Sequence, residues 1–165
     1  MAAADSSDHL SVKAKIEGWL DAEGISFEQV NDLNSFFHIQ ANLKNVRIHI
    51  SESKVRIGVL AVQGILDLSE DQLYKLGRIT PEDSELLFGS LFSLLDRSEY
   101  LFLLQKDFRA QNWMKIQRTL YIEELTRTNL FREMKDLNMK FVNINYLVNE
   151  SLEGFTPAPD ADLYK

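Results

Sequence analysis

Phe36-Phe-His-Ile-Gln-Ala-Asn-Leu43, Val46-Arg-Ile-His-Ile-Ser51 and Lys54-Val-Arg-Ile-Gly-Val-Leu-Ala-Val62 follow one another with almost no intervening chain, and each alternates apolar with polar residues. A period of two is the pattern of a half-buried strand, and three such runs in succession predict an antiparallel meander. The register can be set on paper. With Lys44-Asn45 as a two-residue loop, Leu43 faces Val46, Ala41 faces Ile48 and Ile39 faces Ile50. With the next turn centred on Glu52-Ser53, Ile50 meets Val55, Ile48 meets Ile57 and Val46 meets Val59. A slip of one residue inverts every side chain, yet both hairpins turn the same isoleucines to one apolar face.

The other face then collects His38, Arg47, His49, Lys54 and Arg56, with Lys44 at the turn. In this register His49 lies opposite Gln40 and Arg56, and His38 opposite Ser51. The two imidazoles are diagonal neighbours about 7 Å apart at the backbone. The chain carries a formal charge of −7, so cations gathered on one surface invert the sign locally. Two readings stay open for this candidate anion or partner face. It is either the solvated outer side of a sheet, or a docking site for an acidic segment or a phosphate. Two histidines fall short of the three or four ligands of a stable metal site; no metal and no cofactor is expected.

On the N-terminal side, residues 1–10 are small and polar and are expected to be flexible. Ser11 can cap a helix that carries Val12, Ile16, Trp19 and Leu20 on one face and stops at Gly24. A short strand from Ile25 to Val30 follows. Beyond the meander, Ser69-Glu-Asp-Gln72 has the form of a capping box. Thr80-Pro-Glu-Asp83 places a proline and two acids in the first turn of a second helix. In that helix Leu86, Leu87, Phe88, Leu91, Phe92, Leu94 and Leu95 cover more than one stripe. Burial on two sides is therefore expected, one side against the sheet and the other against a further helix or a second subunit. Leu87, Leu91, Phe92 and Leu95 are the candidate dimer surface.

Glu99–Gln105 and Met114–Glu124 read as two more strands, separated by the polar loop Lys106–Asn112, which Phe108 and Trp113 flank. After Thr126 or Thr128 as cap, Leu130, Met134, Leu137, Phe141, Ile144 and Val148 mark a long amphipathic helix. Asn138, Asn145 and Asn149 run along one side of it, either solvated or lining a polar subunit contact. A flexible tail is expected over residues 154–165, which leaves a single domain at 11–153. The class is α+β: an antiparallel sheet of five or six strands with helices on one face, in the order α-β-β-β-α-β-β-α.

Function is bounded mainly by exclusion. The 165 residues contain no cysteine, so thiol catalysis, thiolate metal sites and disulfides are ruled out. The acidic balance opposes broad nucleic-acid binding, which needs phosphates neutralised by Lys and Arg. No apolar run reaches the ~20 residues of a membrane span, and the start Met1-Ala-Ala-Ala-Asp5 has no basic and apolar leader. A cytoplasmic location is expected. Phosphate-cradling glycine loops, a Gly-x-Ser-x-Gly elbow and His-Glu-x-x-His do not occur. The acidic pairs Glu70-Asp71 and Glu82-Asp83 serve helix N-termini. The expectation is a protein without a reaction of its own.

The order of elements resembles the type III secretion chaperone-like fold, and most of all a small archaeal family of unknown function with that fold. The resemblance covers Val12 to Leu152. Its local signature is Ile16-x-x-Trp19-Leu20-x-x-Glu23-Gly24, with Leu66-x-Leu68-Ser69 after the meander. Such proteins are small, acidic and usually dimeric. The resemblance implies a non-enzymatic, chaperone-like or adaptor-like module that binds itself and an unidentified protein client, and it transfers no catalytic residue. The alternative is a sensor of a small ligand or anion on the basic sheet face.

Overall fold

The computed structural model describes residues 6–43, 46–95, 101–104 and 114–153. Strands β1 (Phe27–Gln29), β2 (Ser35–Leu43), β3 (Val46–Ser53), β4 (Val59–Leu66), β5 (Leu101–Leu104) and β6 (Met114–Tyr121) form one sheet in the order β1-β2-β3-β4-β6-β5. Every neighbouring pair is antiparallel. Helices α1 (Ser6–Ala22), α2 (Glu70–Leu76), α3 (Pro81–Leu95) and α4 (Arg127–Leu152) complete the α+β order. Helix α1 lies on β2 and α4 on β3 and β4, while α2 and α3 pack against α4. The described helices thus share one side of the sheet and leave the other side open.

The β2–β3 hairpin has the predicted register, with Leu43 opposite Val46, Ala41 opposite Ile48 and Ile39 opposite Ile50. The β3–β4 register differs from the expected one. Ile50 pairs with Val62 and Ile48 with Gly64, not with Val55 and Ile57. The physical reason is Glu52, which is not a turn residue but a fully buried member of β3. Its carboxylate lies 2.8 Å from His9 Nδ1 and accepts the Gly58 backbone N–H at 2.9 Å. The chain reverses through the loop 54–58, centred on Arg56 and closed by Gly58, whose φ of 79° suits a residue without Cβ. Val55 and Ile57 therefore decorate an exposed turn, and Val62 and Gly64 take the places assigned to them, with Leu60 buried opposite Glu52.

Helix α1 also begins earlier than its apolar spacing suggested, at Ser6, so Ser11 lies inside it and residues 6–10 belong to the domain. His9 extends the Val12–Ile16–Leu20 stripe by one turn, and its ring stacks on Phe36 with centroids 3.7 Å apart. The expected tails at 1–5 and 154–165, Lys44, Phe108 and Trp113 lie outside the described residues.

Helix α3 corrects the expected dimer surface. Leu87, Leu91 and Leu95 are each 1% exposed within the single chain, whereas Phe92 is 47% exposed. Helix α3 meets α4 of the same chain, and its Leu87–Leu91–Leu95 stripe is buried while Leu86 and Phe92 stay exposed. Three of the four residues are core, and of that set only Phe92 faces solvent.

Thr126 caps α4, its hydroxyl accepting the Asn129 N–H at 3.1 Å. All six predicted apolar positions of α4 are buried. Where α4 crosses the sheet, the Phe141 ring occupies the place of the missing Gly64 side chain. A Cβ there would stand 2.1 Å from Phe141 Cε2. Strand glycines often mark such close approach.

Candidate functional site

On the open face, strand register sets side chains in rows. One row runs Glu28, Gln40, His49, Gln63, Gln117 and Leu101 across all six strands. A second carries His38, Ser51, Ala61 and Thr119, and a third Asn42, Arg47, Ile65, Lys115 and Leu103. The centre is rich in amides and imidazoles. Towards β5 the face turns apolar, with Leu101, Leu103 and Tyr121 exposed.

The diagonal histidines do meet. His38 Nε2 lies 2.8 Å from His49 Nδ1, with the rings edge to face at a centroid distance of 5.0 Å. Asp32, in the turn before β2, approaches His38 Nδ1 at 3.6 Å. The Ser35 hydroxyl donates to the Asp32 carboxylate at 2.6 Å and the Asn34 N–H at 3.0 Å, and these bonds hold its pKa below the usual carboxylate value. Beside His38 the same turn, with Lys13 and Phe36, lines a cleft of about 490 Å³.

Burial pushes the His49 pKa down to about 4, and the neighbouring His38, Arg47 and Lys115 act in the same direction. His49 is therefore neutral at pH 7. The Asp32 carboxylate favours a proton on His38 Nδ1, so that His38 Nε2 accepts from His49 Nδ1–H. Under that assignment His49 Nε2 is a buried lone pair; neither it nor His38 Nδ1 makes a hydrogen bond among the described residues. The centre of the face can accept a hydrogen bond there; it is not a source of positive charge.

The other expected cations are dispersed. Arg47 forms an ion pair with Asp67, a side chain just beyond β4. Lys54 Nζ donates to the Leu33 carbonyl at 2.9 Å. Arg56 belongs to the exposed β3–β4 turn, because Gln63 takes the place opposite His49 that the expected register gave to it. The structure brings His38, His49 and Arg47 together and leaves Lys54 and Arg56 at the hairpin end. Sequence reasoning missed Asp32, Gln63 and Lys115. A loop running from Lys54 to Gly58 and closed by that glycine would have set Gln63 opposite His49; nothing local pointed to Asp32 or Lys115. Among the described residues no group of three or more His, Asp or Glu could hold a metal ion. No helix among them is long and apolar enough to cross a membrane.

A family model described as "Uncharacterized conserved protein (DUF2299)" matches residues 12–147. An uncharacterised protein from Methanothermobacter thermautotrophicus superposes with a TM-score of 0.76 at 17% identity, over 86% of this chain and 99% of that one. A chain of the HopA1–SchA chaperone–effector complex superposes with a TM-score of 0.56 at 15% identity, over 87% of this chain and 99% of that one. No curated protein matches the chain. At these identities the likeness concerns the fold, which is the type III secretion chaperone-like arrangement.

Proposed function

The chain belongs to this family of uncharacterised conserved proteins, and on that premise we propose that it is a non-enzymatic protein-binding module, chaperone-like or adaptor-like, that works as a homodimer and takes a protein client on the open face of its sheet. The observation that carries this reading is the composition of that face. The described helices cover the opposite side, while here Gln40, Gln63 and Gln117 present amides that both donate and accept. They run into the exposed Leu101, Leu103 and Tyr121. Polar groups matched to a peptide backbone beside an apolar strip suit a protein segment. That a fold neighbour comes from a chaperone–effector complex supports the same reading by analogy.

A small-ligand or anion sensor is the second reading, favoured by the cluster of Arg47, His49 and Lys115. It is the weaker one, because His49 is neutral and Arg47 is already paired with Asp67. Affinity purification from the native host with the wild type and with Leu101→Glu/Leu103→Glu separates the two. A stoichiometric protein partner lost in the variant, at unchanged thermal stability, is the expected result. Equal recovery by both proteins would remove the open face from the proposal. Stabilisation by phosphate or a nucleotide that Arg47→Glu abolishes would favour the sensor.

A further inference from the structure

The outward side of α4 carries Met139, Val142 and Tyr146, which are 56%, 53% and 65% exposed. Spacings of three and four residues set them in one stripe, turned away from the buried Leu130–Val148 side. The same spacing continues in both directions. Arg132 and Lys135 precede the apolar trio and Glu150 and Glu153 follow it, all four exposed. The stripe is thus basic, then apolar, then acidic over about 32 Å, Glu153 being the capping residue just past the end of α4.

A stripe ordered this way complements itself only when reversed. From its geometry we propose that the dimer forms by antiparallel packing of α4 on α4 of a second copy. This rests on the dimeric reading above and names its surface. A two-fold axis midway between Val142 and Asn143 sets Met139 opposite Tyr146, Lys135 opposite Glu150 and Arg132 opposite Glu153, each pair occurring twice, as an isologous contact requires. The three pairs share that one midpoint, so a single placement satisfies all of them. A foreign helix would need the same charge order by coincidence. The contact is a strip about 10 Å wide, well short of the roughly 800 Å² per partner of a standard interface. The dimer is therefore reversible and concentration-dependent.

Sedimentation velocity of the full chain over a range reaching the high-micromolar tests this. The wild type shifts from monomer to dimer, and Val142→Glu, which sets two carboxylates at the axis, stays monomeric at unchanged melting temperature. Lys135→Glu alone or Glu150→Lys alone weakens self-association about ten-fold, the effect of two surface pairs turned from attraction to repulsion. An equimolar mixture of those two variants recovers the dimer, because every contact is again Glu against Lys. A dimer unaffected by Val142→Glu, or a mixture no better than its components, overturns the α4 surface and leaves the dimeric reading standing. A wild type that is monomeric throughout overturns both, and so does a stripe that binds only a foreign protein.

Discussion

His49 and Glu52 sit in the same strand and show how one polar residue can be tuned by its neighbours. His49 is neutral because burial opposes a second proton, with the neighbouring His38, Arg47 and Lys115 acting in the same direction, and its pKa falls from 6.5 to about 4. The unfolded chain takes up that proton below about pH 6.5, and the folded chain only near pH 4. Between these values the unfolded state binds more protons, so stability decreases as the pH is lowered. The ring is only partly buried, and solvent screening limits the loss to about 1–2 kcal/mol. His49→Gln should flatten the melting temperature between pH 6.5 and 4.5 relative to wild type; an unchanged slope would show that another group titrates there. Glu52 is paired with His9 and also accepts the Gly58 N–H, and the first of these partners lies 43 residues away in sequence, beyond any local reading.

Helix α2 is short, and its stability comes from its ends and its dock. The capping box is complete: Ser69 Oγ accepts the Gln72 N–H at 3.2 Å and Gln72 Oε1 accepts the Ser69 N–H at 2.9 Å. The Gln72 amide also donates to Asn145 Oδ1 at 2.9 Å and Asn149 Oδ1 at 2.8 Å on α4. Two of the asparagines read as solvent or subunit groups thus hold α2 within the chain. Ser69→Ala should cost about 1 kcal/mol, the usual value of a lost cap. Gln72→Leu should cost somewhat more, up to about 2 kcal/mol, because it removes the acceptor of the Ser69 N–H and both bonds to the asparagines, whose exposed oxygens return to water. Denaturant unfolding compares the two, and equal losses would mean that the α2–α4 clasp contributes nothing. The box was legible because its residues lie within one turn. The clasp was not, since its partners are more than 70 residues apart.

The layering of the domain predicts a contrast between two substitutions. Leu91→Asp places a carboxylate in a core position that is 1% exposed and should abolish folding. Arg56→Glu changes an exposed turn and should leave the melting temperature within about 1 °C, since such surface changes stay within ±0.5 kcal/mol. Circular dichroism melts check both, and similar damage would contradict the assignment of faces. Much of this architecture was readable in the chain: the first hairpin, the caps at Ser69 and Thr126, the buried stripe of α4 and the α+β order. Each depends on spacing or on neighbours within a few residues, and local sterics and apolar burial fix such features wherever the segment lies. Packing alone set the second hairpin register, the burial of Leu87, Leu91 and Leu95 against α4, and the meeting of Asp32, His38 and His49 beside Lys115. Alternation marks which residues can share a face, but the choice among registers of equal pattern falls to distant groups. Here the carboxylate of Glu52 had to reach His9 and the Gly58 N–H, and that requirement moved the turn.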